Sequence, residues 1–257
     1  MILYPSPIFG PVHSRRLGIS LGINLMPADG KLCSFDCAYC ECGFNGDNRP
    51  QQPRPTREAV AETLENKLIE MTNNGEAPDV LTFAGNGEPT LHIDFADIVD
   101  DVLALRDKYC AKAKVSVLSN ATAIQRQSVF EALMKVDNNI QKLDTVNLDF
   151  IHAVDRPNGA FDVENVIENL ARFNGHVIIQ TMFLTGWTNQ NFKVDNVGED
   201  FVNPWLDALD RIKPSSVMIY TIDRRTPDEG LRKAKPEVLD AIAEKVRERG
   251  FECNVAY

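Results

Sequence analysis

Runs of apolar residues typical of β-strands alternate along the chain with segments in which apolar residues recur at helical spacing. The six clearest strand-like runs are Leu17–Leu25, Val80–Phe83, Lys114–Leu118, Thr145–Leu148, His176–Phe183 and Ser216–Thr221. The helical patterns are Thr56–Met71, Phe95–Tyr109, Gln125–Val136, Phe161–Phe173, Asn203–Ile212 and Pro236–Arg249. Such alternation predicts a parallel sheet with helices outside it, and right-handed connections curl that sheet toward a barrel.

The pattern predicts one α/β domain over residues 1–257, built as an open, partial (β/α)6 barrel. A closed eightfold barrel also needs ~250 residues, but only six units are clear in this sequence. Residues 1–16 precede the first run and are predicted to form an N-terminal extension. The short run Glu252–Ala256, within residues 250–257, is predicted to be an edge strand.

The composition is that of an ordinary globular protein, with 44% hydrophobic and 25% charged residues. The net charge of −10 argues against broad nucleic-acid binding, which needs a basic surface. The first residues lack the basic and apolar regions of a signal peptide, and no stretch reaches the length of a membrane span. We therefore expect a cytoplasmic protein with no membrane partner, whose cysteines stay reduced.

Three cysteines, Cys33, Cys37 and Cys40, follow the first predicted strand with the spacing C-x3-C-x2-C. A cubane iron–sulfur cluster normally takes four thiolates, so three ligands from one loop leave one iron open for chemistry. A zinc site that also uses Cys42 is the alternative, but zinc loops usually pair two C-x2-C knuckles and the sequence has one. The spacing therefore favours a cluster with an open iron.

A glycine-rich turn follows the second predicted strand, where Gly85, Asn86, Gly87 and Glu88 precede a proline. Glycine lets a backbone approach a ligand closely, and a carboxylate with backbone polar groups can hold an ammonium group. Taken alone, the segment is more typical of a plain turn between strand and helix. Because ligands bind at the carboxyl ends of such strands, we expect this turn to face the cysteine loop.

Polar residues also mark the ends of the next predicted strands. Ser119 and Asn120 end the third strand and suit either a ligand site or a helix cap. Lys142 and Asp144 lead into the fourth, where they are either a paired polar site or a solvated strand start. Gln180 is the long polar residue of the fifth strand, and a buried amide there needs a partner.

Candidate substrate contacts lie at the end of the sixth strand and before the first. Tyr220, Asp223 and Arg224 would sit at the mouth of the barrel, unless the charges pair with one another on an exposed loop. Arg15 and Arg16 would clamp a phosphate or carboxylate, unless they anchor the N-terminal segment at the surface. Lys142 is a further candidate substrate contact.

Taken together, the cysteine loop, the Gly-Asn-Gly-Glu-Pro turn, the segment Ile219–Arg224 and the region from Gly10 to Asn24 resemble the radical S-adenosylmethionine (SAM) superfamily. The likeness is closest to its small wyosine-synthase-like group of iron–sulfur oxidoreductases. The resemblance implies the radical SAM type of partial barrel and one [4Fe-4S] cluster ligated by the three cysteines. It also implies a SAM site whose contacts are Tyr39, Gly85, Asn86, Gly87, Glu88, Ser119, Asn120, Asp144 and Gln180.

The implied activity is reductive cleavage of SAM at the cluster to a 5′-deoxyadenosyl radical, which abstracts hydrogen from a small molecule such as a modified nucleobase. An external one-electron reductant of the flavodoxin or ferredoxin type is the implied partner. No catalytic acid or base can be assigned. The alternatives are a tRNA-modifying wyosine-type synthase, a glycyl-radical activase and, outside enzymes, an iron–sulfur electron carrier. Wyosine-type enzymes carry further N-terminal cysteines, and here none precedes Cys33.

Overall fold

The predicted alternation of strands and helices forms a curled eight-stranded sheet. This computed structural model describes residues 1–14, 18–47 and 49–257. The strands are β1 (Ile8–Ser14), β2 (Gly18–Ile23), β3 (Val80–Phe83), β4 (Lys114–Ser119), β5 (Asn138–Lys142), β6 (Ile178–Met182), β7 (Leu184–Trp187), β8 (Lys193–Asp195), β9 (Ser216–Tyr220), β10 (Leu231–Lys233) and β11 (Cys253–Ala256). The helices are α1 (Arg57–Asn73), α2 (Phe95–Tyr109), α3 (Gln127–Leu133), the single turn α4 (Leu148–Phe150), α5 (Val163–Ala171), α6 (Glu199–Ile212) and α7 (Pro236–Glu248).

The main sheet has the strand order β1-β2-β3-β4-β5-β6-β9-β11. From β2 to β11 every neighbouring pair is parallel, whereas β1 runs antiparallel to β2. Strands β10, β7 and β8 form a separate antiparallel sheet. The curled parallel sheet with its outer helices is the partial (β/α)6 barrel that the sequence predicts, and β11 is the predicted edge strand.

The position predicted for the fourth strand is wrong. The structure places β5 at Asn138–Lys142, while the predicted run Thr145–Leu148 lies in the connection and the start of α4. Four of the five residues of β5 are polar, and the hydrogen bond from Asn138 Nδ2 to Ser116 Oγ (2.9 Å) shows how a neighbouring strand satisfies one of them. Lys142 consequently lies at the carboxyl end of its strand, next to the candidate site, and is not a strand start.

The N-terminal extension contains β1, a strand that the sequence did not predict. Gly10 and Pro11 interrupt its apolar pattern, and its register with β2 shifts between Phe9 and Val12. The Phe9 ring lies against Gly22, where an added Cβ would come within 2.1 Å of it. The extension therefore packs on the sheet as an added edge. Arg15 and Arg16 lie outside the described residues, so their proposed clamp stays a prediction.

Two apolar clusters hold the fold together. The larger fills the space between the sheet and its helices and includes Phe83, Phe95 and Trp205, all nearly inaccessible to water. The smaller includes Tyr39 of the cysteine loop and Met182 at the end of β6. The cysteine loop is thus packed as part of a core. In the described part of the chain, no helix is long and apolar enough to cross a membrane.

Candidate active site

The cysteine loop and the glycine-rich turn are joined directly by backbone hydrogen bonds. Leu32 N–H donates to the Asn86 carbonyl (2.9 Å), and Glu88 N–H donates to the Leu32 carbonyl (3.2 Å). Gly87 adopts a φ of +146°, and a Cβ there would lie 1.9 Å from the Leu32 oxygen. Only glycine fits this approach, because side chains are excluded by both conformation and space. The two sequence motifs are therefore one structural unit.

Hydrogen-bond donors and a buried cation surround the cysteine thiols. Cys33 Sγ accepts from Phe35 N–H (3.5 Å) and from Asn120 Nδ2 (3.6 Å). Lys31, only 2% exposed, donates to the Gly43 carbonyl (2.8 Å) and forms an ion pair with Asp36 (3.2 Å). Although burial opposes the charge, the three nearby cysteines and Asp36 raise the pKa of Lys31, so the ammonium stays protonated beside them.

The four cysteines of the loop differ in how readily they ionise. Burial raises the pKa of Cys33 to about 12 and that of Cys37 well above its ordinary value. A hydrogen bond from the Cys42 thiol lowers the pKa of Cys40 to about 6, and the same bond together with burial raises the pKa of Cys42. The same thiol proton is also within reach of the Gly85 carbonyl oxygen, which lies 3.5 Å from Cys42 Sγ. Cys42 therefore keeps its proton and supports Cys40.

These surroundings fit an anionic iron–sulfur cluster. In the part of the chain that the structure describes, no three His, Cys, Asp or Glu side chains are gathered closely enough to bind one metal ion. The fit rests instead on three half-buried cysteines in one loop, on N–H groups that reach Cys33 and on the Lys31 cation. Hydrogen bonds to the sulfur ligands and nearby charge are the means by which proteins stabilise such clusters.

Asn86 has a different environment from the one expected for a ligand contact. It is fully buried, and its side chain accepts from Tyr4 N–H (2.8 Å) and donates to the carbonyls of Tyr4 and Pro27 (2.9 Å each). Its carbonyl is already bonded to Leu32. The side chain therefore anchors the N-terminal segment to the turn, and a contact between Asn86 and SAM stays a prediction.

Glu88 links the ends of β3 and β4. One carboxylate oxygen accepts from Thr90 N–H (3.1 Å) and Thr90 Oγ1 (2.6 Å), and the other accepts from Asn120 N–H (2.7 Å). Burial raises the pKa of Glu88 against these stabilising bonds. Asn120 in turn donates to Ser34 Oγ (2.9 Å), while the Ser119 hydroxyl accepts from the backbone two residues on. Glu88 after β3 and Asn120 after β4, both predicted SAM contacts, are thus linked to Ser34 of the cysteine loop.

A buried charged network lies beneath the cysteine loop. Lys142 contacts the Asp144 carboxylate and the Tyr39 hydroxyl and forms an ion pair with Asp155 (2.8 Å). Tyr39 OH also contacts Asp144, whose other oxygen accepts from Met182 N–H (2.9 Å). Although burial opposes the charge, the two carboxylates raise the pKa of Lys142, while burial raises the pKa of Asp155 to about 7. The network ties Tyr39 to the ends of β5 and β6.

A cavity of about 580 Å³ opens beside this unit. It is lined from the cysteine loop by Tyr39, Cys40, Glu41 and Cys42, from β3 by Thr82 and its following turn, and from the N-terminal segment by Tyr4, Phe9, Val12 and His13. The predicted substrate contacts Tyr220, Asp223 and Arg224 also line it. Gln180 is 8% exposed and pairs in register with Lys142 across β5 and β6. A ligand in this cavity would contact the cysteine loop and the end of β9 together.

Sequence reasoning missed several residues that the structure brings to the site: Lys31, Asp155, Tyr4 and Glu41. Lys31 and Glu41 had a signal, since each is a charged residue next to the cysteine cluster in sequence. Asp155 and Tyr4 had no such signal. Asp155 is more than a hundred residues from the cysteine loop in the sequence, and folding brings its carbonyl to the Asp36 N–H (3.1 Å).

Comparison with known proteins agrees with this fold. The family described as "Radical SAM superfamily" matches residues 29–195. A UPF0026 protein of Synechocystis is 31% identical over 228 residues, which are 86% of this chain and 77% of that protein. A protein named GTPase Obg from Brachyspira hyodysenteriae is 28% identical over 237 residues, which are 91% of this chain. The chain spans about a third of that protein's length (32%).

Solved structures share the architecture at low sequence identity. A radical SAM methyltransferase from Sphaerobacter thermophilus superposes with a TM-score of 0.69 at 14% identity, covering 93% of this chain and 66% of that one. At this identity the likeness shows the fold alone. With the family match, it means that the chain belongs to the radical SAM superfamily and is an enzyme of that superfamily. Members of the superfamily use SAM and a [4Fe-4S] cluster.

Proposed function

We propose that this enzyme cleaves SAM reductively at a [4Fe-4S] cluster held by Cys33, Cys37 and Cys40, and that it acts on a small molecule bound in the adjoining cavity. The observation that carries the proposal is the backbone pairing of Leu32 with the Gly-Asn-Gly-Glu turn. This pairing holds the cysteine loop against the turn that carries several of the predicted SAM contacts. A cavity of about 580 Å³ is within the range of small-molecule sites.

Each part of the unit has a distinct task in this proposal. The three thiolates would bind three irons, and the turn after β3, whose Gly85 lines the cavity, would face the methionine end of SAM. A cluster bound there would supply the electron for reductive cleavage of SAM, and the cavity would place the substrate beside it for hydrogen abstraction. The walls around Tyr39 would orient the adenosine and exclude water, which protects a reactive intermediate from side reactions.

The charged network below the loop supports the orientation of Tyr39. Lys142 holds the Tyr39 hydroxyl and the two carboxylates in one buried arrangement. A ring whose hydroxyl is fixed in this way has few rotamers open to it and presents a constant face to the cavity. We therefore assign Lys142 and Asp144 to positioning Tyr39, with Asp155 as the second counter-ion.

Anaerobic reconstitution with iron and sulfide tests the proposal. We expect a brown protein with about four irons per chain, which converts SAM to 5′-deoxyadenosine and methionine when reduced by dithionite or flavodoxin. A colourless zinc-binding protein would disprove the cluster. A brown protein that never cleaves SAM, with any candidate substrate, would favour the electron-carrier alternative.

Matched cysteine variants test the ligand assignment. Cys37→Ala should abolish cluster binding, whereas Cys42→Ala should retain about four irons per chain because the Cys42 thiol is protonated and bonded to Gly85. The measurement is iron and acid-labile sulfide per chain after gel filtration under argon. Loss of iron in Cys42→Ala alone would show that the ligand set is wrong.

A further inference from the structure

Three residues that are far apart in the sequence meet at the wall of the cavity. Arg224, in the loop after β9, pairs with Glu41, which follows Cys40, and donates to the Tyr4 hydroxyl at 3.1 Å. The Tyr4 hydroxyl in turn lies 3.4 Å from the Glu41 carboxylate. All three residues line the cavity, and the Arg224 side chain is 51% exposed. The guanidinium therefore has one edge on Glu41 and is open to a ligand elsewhere.

The position of Tyr4 in this group is fixed by contacts of its backbone and ring. The Tyr4 backbone is bound at both polar atoms, because its N–H donates to Asn86 and its carbonyl accepts from Asn86 and Asn24. Its ring packs on Phe9, with 4.6 Å between ring centroids. A surface ion pair normally stabilises a protein little, because two long side chains must be held in place. Here the hydrogen bonds and ring packing of Tyr4 already hold one of the three side chains in place.

Arg224 is also the one Arg or Lys among the described residues that line this cavity. The neighbouring charges have other partners: Asp223 lies 3.5 Å from Lys233, and Arg225 pairs with Glu229. Guanidinium is suited to binding carboxylate or phosphate through two parallel hydrogen bonds. The Glu41 carboxylate, which pairs with Arg224, is an acceptor of this kind.

We propose that Arg224 recognises an anionic group of the substrate, a carboxylate or a phosphate, which displaces Glu41 from the guanidinium. This inference rests on the proposed function for the existence of a substrate in the cavity. It assigns Arg224 as a specificity-determining residue and Glu41 as the resident counter-ion that neutral compounds would fail to displace.

Anion binding to the reconstituted protein tests this without turnover. Inorganic phosphate and acetate are titrated separately by calorimetry under argon, and the tighter of the two identifies the class of anion. Arg224→Gln should weaken binding of the preferred anion by about tenfold or more, and Glu41→Gln should tighten it by about fivefold because the competing carboxylate is gone. The control Arg225→Gln, whose side chain is 83% exposed, should leave the affinity unchanged.

Two results would overturn the proposal. One is an Arg224→Gln protein that binds phosphate and acetate as the parent does. The other is a parallel loss of SAM affinity in Arg224→Gln, which would assign Arg224 to the cofactor. Arg224→Lys, which keeps the charge and loses the planar fork, should fall between parent and Gln variant. These readouts do not depend on SAM cleavage, so failure of the proposed function would be seen separately.

Discussion

Cys40 is the most acidic of the four cysteines in the loop, because the Cys42 thiol donates to it. Adjacent thiols in one loop thus have very different proton affinities. Spacing alone gives no such information, since Cys40 and Cys42 look interchangeable in the sequence. The difference arises from the direction of one hydrogen bond and from the burial of Cys42, and both depend on the folded turn.

This difference predicts selective chemistry in the metal-free protein. The thiolate is the reactive form, so alkylation of Cys40 by iodoacetamide should rise with pH around a midpoint of about 6. Cys33, with a pKa of about 12, should react slowly at neutral pH. Peptide mass spectrometry checks the order of labelling. In Cys42→Ala the Cys40 midpoint should move upward, and an unmoved midpoint would contradict the assigned hydrogen bond.

Lys142 is predicted to be the cation on which the stability of the site depends most. Lys142→Met would leave Asp144 and Asp155 buried without a counter-charge, and removal of one partner from a buried pair costs about 3–5 kcal/mol. The matched control is Lys108→Met, which removes a 61% exposed lysine from its pair with Glu65 and should cost far less, because solvent screens an exposed pair. Urea unfolding of the metal-free variants measures both. Equal losses would contradict the buried network.

At the scale of elements, the apolar pattern predicts those parts that face a continuous apolar core. β3 and α2 have the predicted bounds, Val80–Phe83 and Phe95–Tyr109, because their buried faces are apolar. β5 was missed because most of its residues are polar, and their partners are distant in sequence: Asn138 donates to Ser116 of β4 and Asn139 to the His176 carbonyl, just before β6. The loop and turn of the site were recognised from their motifs, but their mutual pairing depends on the approach of Leu32 to Gly87, which no local pattern encodes.

Gly87 provides the test of that pairing. Gly87→Ala would place a Cβ 1.9 Å from the Leu32 carbonyl oxygen as well as straining a φ of +146°, so it should separate the turn from the cysteine loop. We expect loss of most of the bound iron. Gly75→Ala is the control, because Gly75 also has a positive φ (+75°) but no atom near its added Cβ. It should cost about 1 kcal/mol of stability and retain the iron. Normal iron content in both variants would contradict the pairing.

For the whole molecule, the added strand β1 determines the boundary of the cavity. Phe9 and Tyr4 of the N-terminal segment line the cavity together with Tyr220 and Arg224 from the end of β9 and the loop after it. The sequence predicted the six-unit barrel and the position of the cysteines at its mouth. It did not predict that Tyr4 and Phe9 would line the site, because two asparagine side chains, Asn24 and Asn86, dock that segment and neither reveals its partner in the sequence.

The central claim is that one iron of a three-cysteine cluster is open to SAM. The most direct measurement is electron–nuclear double resonance of the reduced, reconstituted protein with SAM carrying ¹⁵N in its amino group. The account predicts a ¹⁵N coupling from direct binding of that amino group to the cluster. The coupling should be absent in Cys37→Ala, which lacks the cluster. A fully assembled cluster in the parent protein with no ¹⁵N coupling to bound SAM would contradict the account.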